Sequence, residues 1–175
     1  DLIIKYIGLN KMNNEMAKVA IVTGAAKNIG RATCESLSKL GYNILVHANT
    51  DKDGADETVK LVIENGVQSE RIIGDLTKPE TSQELVQEAS KLGNISALVN
   101  NASQREFNKF DDMTFDDWRF VMSINLDSLF HTCKAVLPEM KKNKWGRIVN
   151  LGGLSAHISA IGRAHVITSK SAVVG

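Results

Sequence analysis

An excess of charge of one sign is missing. Lys and Arg number 21 against 20 Asp and Glu, a formal net charge of +1, so no general pull toward nucleic acid or an anionic membrane is expected. Any phosphate binding must then come from local geometry. Cysteine is also scarce: Cys34 and Cys133 stand alone, without CxxC spacing. That excludes a disulfide scaffold and fits a reduced, cytoplasmic protein. Long apolar runs are absent. Leu2-Ile3-Ile4 is broken by Lys5, far too short to span a bilayer, and no small-residue cleavage site marks it as a signal peptide. There are no repeats, no low-complexity tracts, no linkers and no cluster read as a metal site. What remains is an ordinary globular balance, 43% hydrophobic and 23% charged over 175 residues, enough for one domain with a sizeable core. Residues 1–16 read as an N-terminal extension or vector-derived remnant, with Met12 and Met16 as candidate starts, and residues 17–175 as the folded domain.

Along that domain short apolar runs alternate with amphipathic stretches. Strands are expected at Val19–Thr23, Asn43–Val46, Arg71–Gly74, Ala97–Val99 and Ile148–Leu151. Helices are expected at Arg31–Leu40, closed by Gly41, and at 52–64, with Ala55, Val59, Val62 and Ile63 inward and Gly66 after it. Thr77-Lys78-Pro79-Glu80 reads as a capping box for a helix burying Leu85, Val86, Ala89 and Leu92. Thr114 with Asp117 opens a long helix over 115–137, with Pro138 near its end, and a last helix starts at about Arg163. Strand–helix alternation of this kind builds βαβ units. The fold class is therefore α/β, a Rossmann-type doubly wound parallel sheet with helices on both faces. The chain stops at Gly175 within a helical pattern, so the C-terminal part of such a fold is expected to be missing.

Thr23-Gly24-Ala25-Ala26-Lys27-Asn28-Ile29-Gly30 lies between the first strand and the first helix. Main-chain amides and the positive helix end converge at such a turn, and glycine lets a pyrophosphate approach the backbone. This places Gly24, Lys27, Asn28, Ile29 and Gly30 at a dinucleotide.

These residues resemble the TGxxxGxG signature of the classical short-chain dehydrogenases/reductases, with Asn28 at the middle glycine, and the family's 3-oxoacyl-carrier-protein reductases in particular. Asn tolerates left-handed backbone better than most residues. Asn100-Asn101-Ala102-Ser103 resembles the family's NNAG, Asp75-Leu76-Thr77 its acid near the adenine, and Ile124-Asn125-Leu126 its catalytic-asparagine segment. The resemblance runs over about 17–175. It implies cofactor contacts at Asp75, Leu76, Asn101, Ala102 and Ser103, and a catalytic role for Asn125.

An acid at the end of the second strand would bind the ribose 2′-hydroxyl and repel a 2′-phosphate. The matching position is Ala48, flanked by His47 and Asn49, and no carboxylate comes before Asp51. Lys27 stands where NADP-preferring relatives carry a basic residue, and can pair with the added phosphate. NADP(H) is the preferred cofactor, NAD(H) the alternative, with His47 and Asn49 beside the adenosine ribose.

In the family a tyrosine four residues before a lysine exchanges the proton, and a serine thirteen residues earlier steadies the substrate oxygen. Lys170 matches the lysine, and the resemblance gives it the nicotinamide ribose as well. The tyrosine position holds Val166 and the serine position Gly153. General acid–base help is typically worth about a hundred- to ten-thousand-fold. His165, His157, Ser155 and Ser159 are the nearby groups that could supply it, with the histidines first because they titrate near neutrality. Three readings follow, of which the first is preferred because Asn125 and Lys170 are retained. The first is an NADP(H)-dependent oxidoreductase acting on a ketone, a 3-oxoacyl thioester or a secondary alcohol. The second is a weakly active or inactive NADP-binding sensor or subunit, and the third a non-redox enzyme that keeps the nucleotide as a structural element. The resemblance also implies a homodimer or homotetramer, for which Trp118, Phe120 and Phe130 are candidate contacts, and no nucleic-acid or membrane partner.

Overall fold

The computed structural model describes residues 17–175; the extension expected at 1–16 lies outside the described residues. Five strands form one parallel sheet: β1 (Lys18–Val22), β2 (Asn43–Ala48), β3 (Ser69–Ile73), β4 (Asn94–Asn100) and β5 (Arg147–Asn150), in the order β3-β2-β1-β4-β5. Between them run α1 (Asn28–Lys39), α2 (Lys52–Glu64) and α3 (Pro79–Leu92). After β4 come α4 (Phe115–Met122), a π-type turn at Ser123–Asp127, and α5 (Ser128–Lys142), while α6 (Ala164–Val174) ends the chain.

The period-two alternation of strands sends successive side chains to opposite faces. Ala20 and Val22 of β1 join Ile44, Val46, Cys34, Ala55 and Val62 in one core layer, under α1 and α2. Val19 and Ile21 join Leu45, Leu85, Ala89, Val136 and Met140 in the other, under α3 and α5. Helices therefore cover both faces, as the doubly wound reading requires. β4 breaks the alternation once. Its register against β1 jumps between Val19 and Ala20, leaving Ser96 as an extra residue, so Ile95 and Leu98 share a face despite being three apart. Each such fully buried aliphatic side chain contributes roughly 1.5–3 kcal/mol.

Several local expectations change. Helix α1 begins at Asn28, inside the glycine loop, not at Arg31; Asn28 adopts φ +50°, the left-handed backbone foreseen for it. The Thr77 capping box does not form. Asp75 Oδ1 accepts from both Thr77 N (2.9 Å) and Thr77 Oγ1 (2.8 Å), so the hydroxyl is taken by a local turn. Helix α3 instead starts after Lys78, with Pro79 in its first turn, where a missing N–H costs nothing. The long helix is interrupted by the π-type turn, and Pro138 lies inside α5. Proline removes the bond back to Lys134, and both residues lie on the exposed side. Ile63 turns out of the core, half exposed at the edge of α2. Leu151 lies beyond the end of β5. The Thr114–Asp117 box does form, with Asp117 N donating to Thr114 Oγ1 at 3.1 Å and Thr114 N to Asp117 Oδ2 at 2.9 Å.

Candidate cofactor and active site

In a sheet of this order the chain turns left from β1 and right from β4, so the loops after these two central strands diverge and leave a crevice. A cleft of about 380 Å³ lies there. One wall is the Gly24–Ile29 loop, another the end of β2 at Ala48–Asp51, and the third Asn101–Arg105 after β4.

Gly24 adopts φ +61°, and a Cβ on it would lie 2.8 Å from Ala102 Cα. At Gly30 an added Cβ would run into the Gly24 carbonyl and sit 2.7 Å from Ala25 Cα. Both glycines are thus required by close approach. Thr23 binds the two loops together: its hydroxyl accepts from Asn101 N (3.0 Å) and Ala102 N (3.1 Å), while Asn101 Nδ2 donates to Thr23 O (3.0 Å) and Gly24 O (2.8 Å). From behind, Thr58 Oγ1 donates to Ala25 O at 2.9 Å, and Arg31 Nη2 to Ala26 O at 2.5 Å and Gly54 O at 3.0 Å. Lys27 supplies no side-chain cap to α1, so the first-turn amides of that helix remain for an anion at the cleft rim. The arrangement fits a pyrophosphate.

His47 lines a small recess beside the cleft and also binds distant backbone. Its buried ring accepts from Gly24 N at Nδ1 (3.3 Å), and Nε2 lies 2.9 Å from Gly74 O. Burial holds its pKa below the ordinary value, opposed by the Gly74 hydrogen bond and the charge of Asp75. A neutral imidazole donating through Nε2 is therefore a strut between β1, β2 and β3, with no nitrogen left for a phosphate. Asn49 and Lys27 are exposed at the cleft, whereas the Asp51 carboxylate caps α2 by accepting from Gly54 N at 3.0 Å. A second, smaller recess of about 170 Å³ lies alongside, walled by Asn49, Asp75, Leu76, Ala102, Ser103 and Ile124 among others. The Asp75 turn just described holds buried Leu76 at that wall.

Asn125 sits in the π-type turn, completely buried. Its Oδ1 accepts from Gln104 N (2.7 Å), and Nδ2 donates to Gln104 O (3.0 Å) and Ser169 Oγ (2.9 Å). The amide thus couples the loop after β4 to α6 and acts as a positioning residue. Next to Ser169, Lys170 is buried, with Nζ donating to Leu151 O at 2.8 Å. Burial lowers its pKa to about 8, and the nearby charge of Arg105 adds to the shift.

The remaining candidates lie elsewhere. His165 is buried, and its Nδ1 has no hydrogen-bond partner. Burial lowers its pKa, while Asp117 and Glu106 pull the other way. Those neighbours place it toward α4, and it lines neither recess. His157 is exposed after the 3-10 turn Leu154–Ala156 and lines neither recess. The helical offset of about 100° per residue explains the first, and the loop path the second. Val166 is 2% exposed. Gly153 adopts φ +101°, and an added Cβ would meet no atom within 4 Å, so this position offers room but a backbone unfriendly to serine. Phe120 and Phe130 are largely exposed, Trp118 only partly.

Sequence reasoning missed Thr23, Arg31 and Arg105. Thr23 and Arg31 act on neighbours far along the chain, which no local pattern shows. Arg105 follows Ser103 closely, and a cation just after the NNAG-like segment was the available signal.

Comparison with known proteins agrees with this architecture. The family model for short chain dehydrogenases matches residues 18–175. The chain is 30% identical over 166 residues to the D-beta-hydroxybutyrate dehydrogenase of Rhizobium meliloti (strain 1021), covering 91% of this chain and 63% of that protein. It is 32% identical over 161 residues to the 3-oxoacyl-acyl-carrier-protein reductase FabG of Staphylococcus epidermidis, covering 91% of this chain and 66% of the other. The crystal structure of acetoin dehydrogenase from Enterobacter cloacae superposes with a TM-score of 0.86 at 32% identity, over 91% of this chain and 64% of that one. The chain thus spans somewhat less than two thirds of the length of these relatives. Among the described residues no helix is long and apolar enough to cross a membrane.

Proposed function

Because the chain belongs to the short-chain dehydrogenase family, we propose that it takes part in an NADP(H)-dependent interconversion of a carbonyl and a secondary alcohol. The observation that carries this reading is the glycine-lined cleft at the switch point, where two glycines admit no Cβ and the first-turn amides of α1 are uncapped. The names of the relatives, a hydroxybutyrate dehydrogenase, an oxoacyl reductase and an acetoin dehydrogenase, support the reaction class.

When bound, the nicotinamide supplies or accepts the hydride. The protein's own residues do the rest. The α1 amides would hold the pyrophosphate, and Lys27 and Asn49, both exposed at the cleft, would hold the 2′-phosphate. Ala48 stands at the position where an acid would repel that phosphate, and the Asp51 carboxylate, three residues on at the cleft wall, is engaged by Gly54 N. Asp75, Leu76, Asn101, Ala102 and Ser103 shape the adenosine side and the cleft floor. Asn125 holds the loop and α6 in register. With Val166 and Gly153 at the family's tyrosine and serine positions, we assign proton exchange to Lys170, which like His165 and His157 lines neither recess but stands at the family's lysine position. Its pKa of about 8 lets it give and take a proton near neutrality. Exposed Phe120 and Phe130 support self-association through α4 and α5 into a homodimer or homotetramer.

Calorimetric titration of the full chain with NADPH and NADH tests the reading. NADPH binds more tightly, and Lys27→Ala brings the two affinities together; tighter NADH, or no heat with either, defeats it. Buried Val166 favours one second reading, a nucleotide-binding sensor or subunit with little turnover. Bound NADPH that is not oxidised by any of a panel of ketones and 3-oxoacyl thioesters selects it.

A further inference from the structure

His47 accepts hydrogen bonds from two successive amides of the glycine loop. Its main-chain carbonyl accepts from Ala25 N at 2.8 Å, and its ring Nδ1 accepts from Gly24 N at 3.3 Å. Only the second bond can be switched off by a proton. The Gly74 carbonyl, 2.9 Å from Nε2, can only accept, so Nε2 carries the ring hydrogen and Nδ1 the lone pair. A further proton has one place to go. At Nδ1 it would face the Gly24 N–H, donor against donor, where the neutral ring has a hydrogen bond.

Gly24 has little freedom to yield. Its carbonyl is held by Asn101 Nδ2 at 2.8 Å and lies against Gly30 in the first turn of α1, and a Cβ on Gly24 would already crowd the Ala102 backbone. A displaced Gly24 therefore disturbs both the start of α1 and the Asn101–Ala102 wall, the two sides of the main cleft. Little around the buried ring compensates a charge on it. Helix α3 packs over β2 with uncharged Thr81 and Ser82 buried in its first turn, while Glu80 and Glu84 stay exposed and Glu88 pairs with Lys91. The loop after β4 contributes only uncharged Ala102, Ser103 and Gln104 to the recess beside the ring. Asp75, after β3, is the one charge that bears on the ring among the described residues, and it favours the proton. The ring's two hydrogen bonds go to Gly24 and Gly74, so Asp75 acts through space.

Resting on the dinucleotide reading, we propose that His47 is a positioning residue through which a proton controls nucleotide binding: the neutral ring holds Gly24 in place, and a proton at Nδ1 releases the glycine loop and lowers the affinity. Affinity is therefore full at alkaline pH and falls as pH drops through the histidine range. Calorimetry with NADP+ on the full chain, from about pH 8 to about pH 5, tests this. The 2′-phosphate of NADP+ itself gains a proton at about pH 6, so the wild type is read against His47→Asn under the same ligand effect. The asparagine Oδ1 stands where Nδ1 stood, accepts from Gly24 N and does not titrate. Over this range the wild type loses roughly three- to ten-fold more affinity than the variant. Ring nitrogen chemical shifts of the wild type supply a readout that needs no substitution. They show hydrogen on Nε2 and none on Nδ1 at about pH 8, and added NADP+ moves the titration of the ring to lower pH. Parallel pH dependence in the two proteins, hydrogen on Nδ1 at the alkaline end, or a titration that NADP+ leaves in place overturns the proposal. Absence of binding by both NADP+ and NAD+ at the alkaline end defeats the dinucleotide reading itself, and this proposal with it.

Discussion

Replacing Gly24 by alanine separates backbone strain from the close approach that builds the cleft. Gly24 adopts φ +61°, where an L side chain costs roughly 1–2 kcal/mol. Its added methyl would also lie 2.8 Å from Ala102 Cα, 3.1 Å from Ala102 N and 3.2 Å from Asn101 Nδ2. Backbone at that distance must move, and overpacking of this kind costs about 1–3 kcal/mol more. The total for Gly24→Ala is therefore about 2–5 kcal/mol. Gly41→Ala is the control. It has φ +82° but nothing within 4 Å of its Cβ, so it carries only the strain, roughly 1–2 kcal/mol. Urea unfolding ranks the two, and NADPH titration reads the cleft. Gly24→Ala displaces Asn101 and Ala102 and weakens nucleotide binding by at least about tenfold, the equivalent of roughly 1.4 kcal/mol. Gly41→Ala leaves binding intact. Equal stabilities, or nucleotide affinity unaffected by Gly24→Ala, would refute the account of why this glycine is there.

Other consequences follow from the same geometry. Lys170 has its pKa lowered to about 8, so as a proton donor it is charged below that pH and carbonyl reduction falls as pH rises through it. Lys170→Arg, whose guanidinium does not release its proton, loses the reduction together with its pH dependence; activity that keeps the descending limb assigns the proton elsewhere. Thr23→Val keeps shape but strands the amides of Asn101 and Ala102. It should cost about 1–3 kcal/mol in urea unfolding, and a neutral result would mean that water replaces the hydroxyl. Thr114→Ala removes the capping box of α4. The expected loss is about 1 kcal/mol, with nucleotide affinity unchanged because α4 does not line the cleft.

How far the site was readable depended on the range of the interactions. Gly24, Asn28 and Gly30 were legible because each answers a local requirement, a left-handed backbone or room beside a turn. Thr114 and Asp117 were legible for the same reason, being three residues apart on one helix. The Thr77 box failed because Asp75, two residues earlier, offered the hydroxyl a nearer acceptor. The structural role of His47 was not legible because its two partners, Gly24 and Gly74, lie 23 and 27 residues away. His165 faces α4 because a one-residue offset on a helix turns a side chain toward a different neighbour, while His157 follows the path of an exposed loop.

Composition and periodicity were sufficient for the parallel α/β sheet with helices on both faces, since alternation of short apolar runs with amphipathic helices leaves few other ways to bury both surfaces. They were also sufficient for the place of the glycine turn between β1 and α1, because a strand running into a helix through closely packed backbone needs such a turn there. Tertiary structure alone decided which polar side chains remain for a ligand. Thr23, Arg31, His47 and Asn125 spend their hydrogen bonds on distant backbone and side chains, while Arg105 keeps its charge at the cleft. That partition depends on which loops meet across the sheet, and strand order, not the run of residues along the chain, determines the meeting.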